Sequence, residues 1–151
     1  MEKYTAKRIA SYFIKKSDSN KENDLTNLKL QKILYYAQAE HYREYNKPLF
    51  SEPIEAWEYG PVVYDVYKWL SGCGAYRISS FDVELDNSQI PLKTMEFLDN
   101  IWEKYSKYSA SYLVSKTHMP SEPWDIAYNK CPNTEIDLSH LDSIKLQNEW
   151  E

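Results

Sequence analysis

Glycine is scarce in this sequence of 151 residues, which holds only three glycines beside seven prolines, three histidines and two cysteines. So few glycines argue against a turn-rich all-β fold, and the prolines suit helices that end at proline. The three glycines also form no glycine-rich phosphate-binding loop. We therefore predict a mainly α fold: a compact single domain over residues 1–151, with about five to six helices and a small β element.

Cysteine and histidine are too few and too scattered for the common metal and disulfide frameworks. Cys73 and Cys131 fit no C-x-x-C spacing, so we predict two reduced thiols. His41, His118 and His140 stand singly, so no metal site, cofactor or catalytic residue is predicted. His118 is interpreted as a protonated imidazole that complements a helix end. A small enzyme that uses His118 or Cys73 is the alternative class.

Long apolar runs are also missing. No segment approaches the roughly 20 apolar residues that cross a bilayer, and the N-terminus has no signal-peptide core. We therefore predict a cytoplasmic protein without a membrane partner.

The charge is acidic and uneven. Net charge is -5, with 11 basic and 10 acidic residues in positions 1–75 but 7 and 13 in positions 76–151. Nucleic acid is not expected as a partner, because binding phosphates needs a basic face. Only the first helix offers basic residues in number: Lys3, Lys7, Arg8, Lys15 and Lys16.

Aromatic residues are abundant, at 15% of the chain, and many lie between Leu25 and Leu70. Tyrosine and tryptophan are mostly core residues, but those that remain outside are enriched at protein interfaces. We predict that a protein partner binds at four of them: Tyr36, Tyr59, Tyr64 and Trp69.

Apolar periodicity predicts two helices in the N-terminal part. Thr5 is predicted to cap the first helix, which a polar loop follows over residues 15–24. Thr26 is predicted to cap a second helix that ends near Tyr45, before Asn46. Its predicted inner face consists of Leu30, Ile33, Leu34, Ala37 and His41, and its predicted outer face of Lys29, Lys32, Glu40, Arg43 and Glu44.

The centre of the chain has weaker signals. A short strand is predicted near Trp57, paired with residues 76–86, which alternate weakly. Gly60 and Pro61 are typical of a helix start, so a third helix is predicted there. Its predicted buried stripe is Val62, Val63, Val66, Tyr67 and Leu70.

The C-terminal half is predicted to hold the remaining helices. A fourth helix of about four turns starts near Leu92, and Ser109 caps a short fifth helix. A further helical turn follows from Pro123, and Ser139 is predicted to cap the last helix, which carries Leu141, Ile144 and Trp150.

Several of these segments resemble the Panacea-domain family, which includes SocA-like antitoxins and phage-associated GepA-like proteins. The matching segments are LTNLKLQKILYYAQ at 25–38, KPLF at 47–50 and PIEAWEYGPVV at 53–63, with weaker matches at 102–105, 109–110, 117–118 and 123–124. Their order and spacing hold over residues 9–128, which leaves residues 129–151 as a C-terminal extension. Glu58 departs from the basic residue that the family favours.

The resemblance implies an antitoxin of a toxin-antitoxin system that neutralises a cognate toxin, encoded next to it, by direct protein-protein binding. It also implies an alternative: a proteolytic adaptor that delivers its toxin to a cytosolic protease, or a phage accessory protein that binds another host or phage protein. The family supplies no catalytic residues to transfer, so we predict that the protein is not an enzyme.

Overall fold

The fold is that of a computed structural model that describes residues 4–19 and 24–150. Six α-helices and one small sheet make up most of it. The helices are α1 (Ala6–Asp18), α2 (Asn27–Tyr45), α3 (Tyr64–Trp69), α4 (Leu92–Tyr105), α5 (Ala110–Thr117) and α6 (Pro123–Lys130); the strands are β1 (Glu55–Trp57) and β2 (Gly60–Val62). Three short 3₁₀ helices lie at Ser71–Cys73, Leu138–Ser143 and Gln147–Glu149. The predicted mainly α fold is confirmed.

Helix starts agree with the predicted capping residues. The hydroxyl oxygens of Thr5, Thr26 and Ser109 accept backbone N–H groups three residues later, at 3.1, 3.2 and 3.1 Å. Each cap satisfies a donor that the first helical turn leaves unpaired. Asn46 ends α2 in the left-handed conformation, with a φ of 56°, which asparagine tolerates better than most residues. These four predictions are confirmed.

Helix α2 is the centre of the protein and is buried on all sides from Lys29 to His41. It contacts α1, α3, α4, α5, β2 and the 3₁₀ helix at Leu138–Ser143. The predicted outer face is therefore wrong for Lys29, Lys32 and Glu40, and right for the exposed Arg43 and Glu44.

The buried charged groups of α2 have polar partners from the surrounding elements. Lys29 Nζ donates to Asp24 Oδ1 and to the carbonyl oxygen of Ser106, both at 2.6 Å. Glu40 Oε1 accepts from Lys104 Nζ at 2.8 Å. Burial of such groups is tolerated because charge pairing and hydrogen bonds replace water.

Strands β1 and β2 form an antiparallel hairpin in which Trp57 pairs with Gly60. The helix predicted at Gly60 and Pro61 is wrong, because these residues start β2 and α3 begins only at Tyr64. Gly60 has a φ of 111°, so the glycine permits a hairpin turn and not a helix start. The strand predicted near Trp57 is confirmed, but its predicted pairing with residues 76–86 is wrong.

The C-terminal segment takes the place beside β1 that was predicted for residues 76–86. Ile136 N donates to Ile54 O at 2.7 Å, and Ala56 N donates to Thr134 O at 2.8 Å. Asp137, and not the predicted Ser139, caps the following 3₁₀ helix. Four apolar side chains of this C-terminal extension are buried in the same core cluster as α1 and α2: Ile136, Leu141, Ile144 and Leu146.

Helix α1 extends further than predicted. It continues to Asp18, and Ser17 is buried, so the polar segment at 15–24 begins as helix; residues 20–23 of it, like Lys3 of the basic set, lie outside the described residues. Among the helices that the structure describes, none is long and apolar enough to cross a membrane.

Candidate partner-binding surface

Tyr36, the first of the four predicted partner-binding residues, lies in the core. Its side chain is 0% exposed, so the predicted surface position is wrong. The ring stacks on Tyr105 with centroids 4.8 Å apart and meets the edge of Trp150 at 5.3 Å. The physical reason is the position of α2, since the central helix has no side at this level that faces solvent.

Tyr59 and Tyr64 are exposed, at 63% and 43%. Tyr59 lies in the two-residue turn of the hairpin, and the Tyr64 ring lies 6.2 Å from the ring of Trp57 on β1. Trp69 is only partly exposed, and its ring lies under the Lys7 ammonium at 4.9 Å. It lines a pocket formed by residues from 69–83, away from the hairpin. The structure therefore brings two of the four predicted residues together at the hairpin.

An open groove of about 730 Å³ lies beside this hairpin. It is formed by the start of α2, the hairpin, α3 with the residues that follow it, and the start of α5. The groove is lined by Thr26, Asn27, Leu28, Gln31, Trp57, Glu58, Tyr59, Val62, Tyr67, Ser71, Gly74, Ala75, Ala110 and Asn133. Tyr59 is the predicted partner-binding residue that lines it.

The floor of the groove is fixed by two side-chain amides. Gln31 Nε2 donates to Asn27 Oδ1 at 3.0 Å, and Gln31 Oε1 accepts from the backbone N–H of Val63 at 2.8 Å. Asn27 Nδ2 in turn donates to the carbonyl oxygen of Tyr67 at 3.2 Å. The amides thus tie α2 to the hairpin and to α3, and their polar atoms are used within the protein.

Large apolar side chains remain open to solvent along the groove. Leu28 and Tyr67 are each 38% exposed, and the Tyr67 ring meets the edge of Trp57 with centroids 4.9 Å apart. Exposed apolar side chains that line one concavity, rather than being scattered, are typical of interaction sites. Rings held by their neighbours lose little conformational entropy when they bind.

The charge in the groove is negative. Within residues 4–19 and 24–150, Glu58 is the one charged residue in its lining, and no Lys or Arg lines it. Among the residues that the structure describes, the Glu58 carboxylate has no hydrogen-bond or ion-pair partner. A solvated carboxylate at the rim is thus available to a cationic group.

Lys32 supports the hairpin from below. Its ammonium group is buried and donates to the carbonyl oxygen of Pro61 at 2.9 Å, and burial lowers the pKa of Lys32 to about 7. A Cβ atom on Gly60 would lie 2.5 Å from Lys32 Cε and 2.9 Å from Thr117 Oγ1. Glycine is therefore required here both by the positive φ and by the close approach of the lysine stem.

His118 ends α5, as predicted, but it is not the predicted protonated partner of the helix dipole. Burial, and next the nearby Lys32, lower the pKa of the imidazole. The ring stacks on Trp124 with centroids 3.7 Å apart, and its buried Nε2 has no hydrogen-bond partner among the described residues. A neutral ring packed on an indole is the better description.

Cys73 shows no sign of activation, because burial raises the pKa of its thiol and the thiolate is the nucleophile. Among the described residues, no three side chains of the His, Cys, Asp or Glu type converge as metal ligands would. Among these residues, what the hairpin region offers chemically is an apolar concave surface lined by the acidic Glu58.

Sequence reasoning missed Leu28, Gln31 and Tyr67 as parts of this surface. Leu28 carried a usable signal, because it is an apolar residue of α2 outside the predicted inner stripe. Tyr67 was assigned to the buried stripe of the third helix, and that assignment is wrong because a helix starting at Tyr64 turns this ring toward Trp57. Gln31 gave no local signal of its place under the hairpin, since the backbone N–H of Val63 that it accepts is 32 residues away.

The fold and the groove define a mainly helical protein built around one buried central helix. The chain belongs to the family described as antitoxin SocA-like, Panacea domain, whose profile matches residues 30–125. This bears out the resemblance seen in the sequence.

A curated relative, the antitoxin SocA of Caulobacter vibrioides (strain NA1000 / CB15N), is 29% identical over 123 residues. The match covers 76% of this chain and 65% of that protein, so the chain spans just under two thirds of the relative's length. No solved structure matches the chain significantly.

Proposed function

We propose that this protein is the antitoxin of a toxin-antitoxin system, and that it neutralises a cognate toxin by direct protein-protein binding in the cytoplasm. Membership of the SocA-like family and similarity to an antitoxin support this role. The observation that carries the binding step is the groove, because its exposed Leu28, Tyr59 and Tyr67 lie over a floor that is already hydrogen-bonded. When a protein covers such a surface, the free energy falls, because apolar area is removed from water.

The proposed role needs no catalysis. The pKa of the Cys73 thiol is raised and that of the His118 imidazole is lowered, and both shifts have burial as their largest cause. The raised pKa keeps the Cys73 thiol protonated at neutral pH, whereas the thiolate is the nucleophile. The His118 Nε2 atom is buried without a hydrogen-bond partner among the described residues, so no side chain there is placed for it to activate. We also propose that residues 1–151 act as one domain, since the buried side chains of the C-terminal segment belong to the same core as those of α1.

Co-expression with the product of the adjacent gene tests the proposal. We expect that product to stop growth when expressed alone, and growth to return when this protein is expressed with it. A purified 1:1 or higher complex of the two should form without other components. If the neighbour is harmless on its own, the antitoxin role with an adjacent toxin is contradicted.

The same assay in cells that lack cytosolic proteases separates the two mechanisms. Direct neutralisation predicts that protection is retained without proteases, and toxin levels should then stay constant. If protection is lost and the toxin accumulates, the protein is an adaptor for proteolysis and the direct mechanism is overturned.

A further inference from the structure

In the part of the chain that the structure describes, the groove holds a single unpaired charge beside apolar walls, and this combination restricts what can occupy it. Its walls are formed by Leu28, Trp57, Val62 and Tyr67, and its charged lining residue is Glu58. The surface is thus apolar in the centre and acidic at the edge.

We propose that the groove binds an amphipathic basic segment of the partner protein, with its apolar side chains between Leu28 and Tyr67 and a Lys or Arg side chain paired with Glu58. This inference rests on the proposed function, because it specifies which part of the toxin the antitoxin recognises. The cation pairs with a carboxylate that has no partner among the described residues. Charge complementarity at a rim mainly sets the association rate and the choice of partner.

A small molecule fits the groove less well than a protein segment. Binding sites for small molecules use convergent polar groups to fix orientation. Here the amides of Asn27 and Gln31 bond to each other and to the backbone of Tyr67 and Val63, and the Ser71 hydroxyl donates to the carbonyl oxygen of Lys68. Apolar contact with a segment that crosses the groove does not require these atoms.

Charge also argues against two other occupants. A second copy of this chain would bring together two molecules of net charge -5, which repel each other. A nucleic acid would place phosphates beside Glu58, although binding them requires a basic surface. A basic segment is the occupant that gains from this charge.

Selection from a random peptide library, displayed on phage, tests the proposal with the purified full chain. We expect the selected peptides to combine apolar residues with Lys or Arg. Leu28→Glu should weaken the binding of a selected peptide by roughly tenfold or more, as the loss of an apolar anchor does. Glu58→Lys should weaken it by about threefold, and more at low salt than at high salt.

Matched controls lie on α4, outside the groove lining. Leu92→Glu places the same charge at a leucine that is also exposed, and Glu96→Lys repeats the charge reversal at another exposed glutamate. Both should bind the peptide as the unchanged protein does. A peptide whose Lys or Arg is replaced by Glu should recover affinity for the Glu58→Lys variant, and circular dichroism should report the same fold for all four variants.

Several results would overturn the proposal. One is a library that yields no enriched peptide, and another is a set of enriched peptides that lacks basic residues. A selected peptide that binds the Leu28→Glu variant as tightly as the unchanged protein would also overturn it. Binding of an apolar dye that Leu28→Glu abolishes, without any peptide enrichment, would show a small-molecule site instead. Dimerisation that the same substitution abolishes would show a second copy as the occupant.

The failure of this inference can be told apart from the failure of the proposed function. If the adjacent gene product is harmless but basic peptides bind as expected, the groove is a recognition site and the antitoxin role fails. If a true toxin is neutralised equally well by Leu28→Glu and Glu58→Lys, the antitoxin role stands and the groove assignment fails.

Discussion

Two aromatic clusters lie at different levels of the central helix, and they differ in what covers them. The first, which we call the closed cluster, surrounds Trp150 and consists of Tyr36, Tyr105, Tyr108 and Tyr112, with ring centroids 5.3 to 6.0 Å from the indole. The second lines or flanks the groove and consists of Trp57, Tyr59, Tyr64 and Tyr67. The C-terminal segment covers the first, and nothing among the described residues covers the second.

Aromatic density alone does not identify a binding surface. Both clusters contain Tyr and Trp from aromatic-rich stretches, but the closed cluster is completed by Trp150, which is distant from Tyr36 in sequence. A cluster completed by its own chain contributes to stability, whereas an uncovered one is free to bind.

Removal of one ring from each cluster should change the free energy of unfolding by very different amounts. Tyr36→Ala removes a fully buried ring, so we expect it to lower the free energy of unfolding by about 3–5 kcal/mol. Tyr59→Ala removes an exposed ring and should change it by no more than about 0.5 kcal/mol. Urea denaturation of the purified variants measures both.

A conservative control separates the ring from its hydroxyl. The Tyr36 hydroxyl is buried without a hydrogen-bond partner among the described residues, so Tyr36→Phe should cost less than about 1 kcal/mol. If Tyr36→Ala proved as mild as Tyr59→Ala, the closed cluster would have no structural role and the division would be lost.

Lys32 under the hairpin should make stability depend on pH. Its pKa in the folded state is about 7, below the ordinary value of 10.5, so the unfolded chain binds an extra proton between these values. Stability therefore rises with pH in this window, by about 2 kcal/mol from pH 7 to pH 9. The lowered pKa of His118 places its titration below this window.

The Lys32→Met variant is the control for this effect. It lacks the titrating lysine, so its unfolding free energy should not rise from pH 7 to pH 9. The raised pKa of the partly exposed Cys73 thiol should lower it slightly toward pH 9. The contribution of Lys32 to the unfolding free energy should be measured below pH 10, because the raised pKa of buried tyrosines such as Tyr105 lowers stability above that value. An equal slope in both proteins would refute the assignment to Lys32.

Local patterns in the sequence predicted the elements whose cause is local. Thr26 and Ser109 were recognised as caps, because a cap bonds a donor only three residues away. The spacing of apolar residues also predicted α4 from about Leu92. These features depend on one turn of the chain, which a sequence window contains.

The features that sequence patterns missed depend on long-range contacts. Burial of Lys32 under Pro61 depends on a contact across 29 residues, and the pairing of Ile136 with Ile54 across 82. The groove also depends on a long-range contact, because its floor requires Gln31 to accept the backbone N–H of Val63, 32 residues away. Tyr59 is the one described lining residue that the sequence predicted as partner-binding. A periodicity identifies one packed face, but it does not reveal that α2 is surrounded.

Removal of Trp150 should convert the closed cluster into an open one. Its indole meets four tyrosine rings edge-on and donates to the carbonyl oxygen of Lys145 at 3.0 Å, so Trp150→Ala should cost about 1–2 kcal/mol in urea denaturation. It should also create a binding site for an apolar dye, because Tyr36 and Tyr105 become accessible. Tyr76→Ala, at a highly exposed ring, should do neither. As a control, Trp150→Phe should keep most of the stability and exclude the dye. If Trp150→Ala binds no more dye than the native protein does, the C-terminal segment is not what closes this cluster.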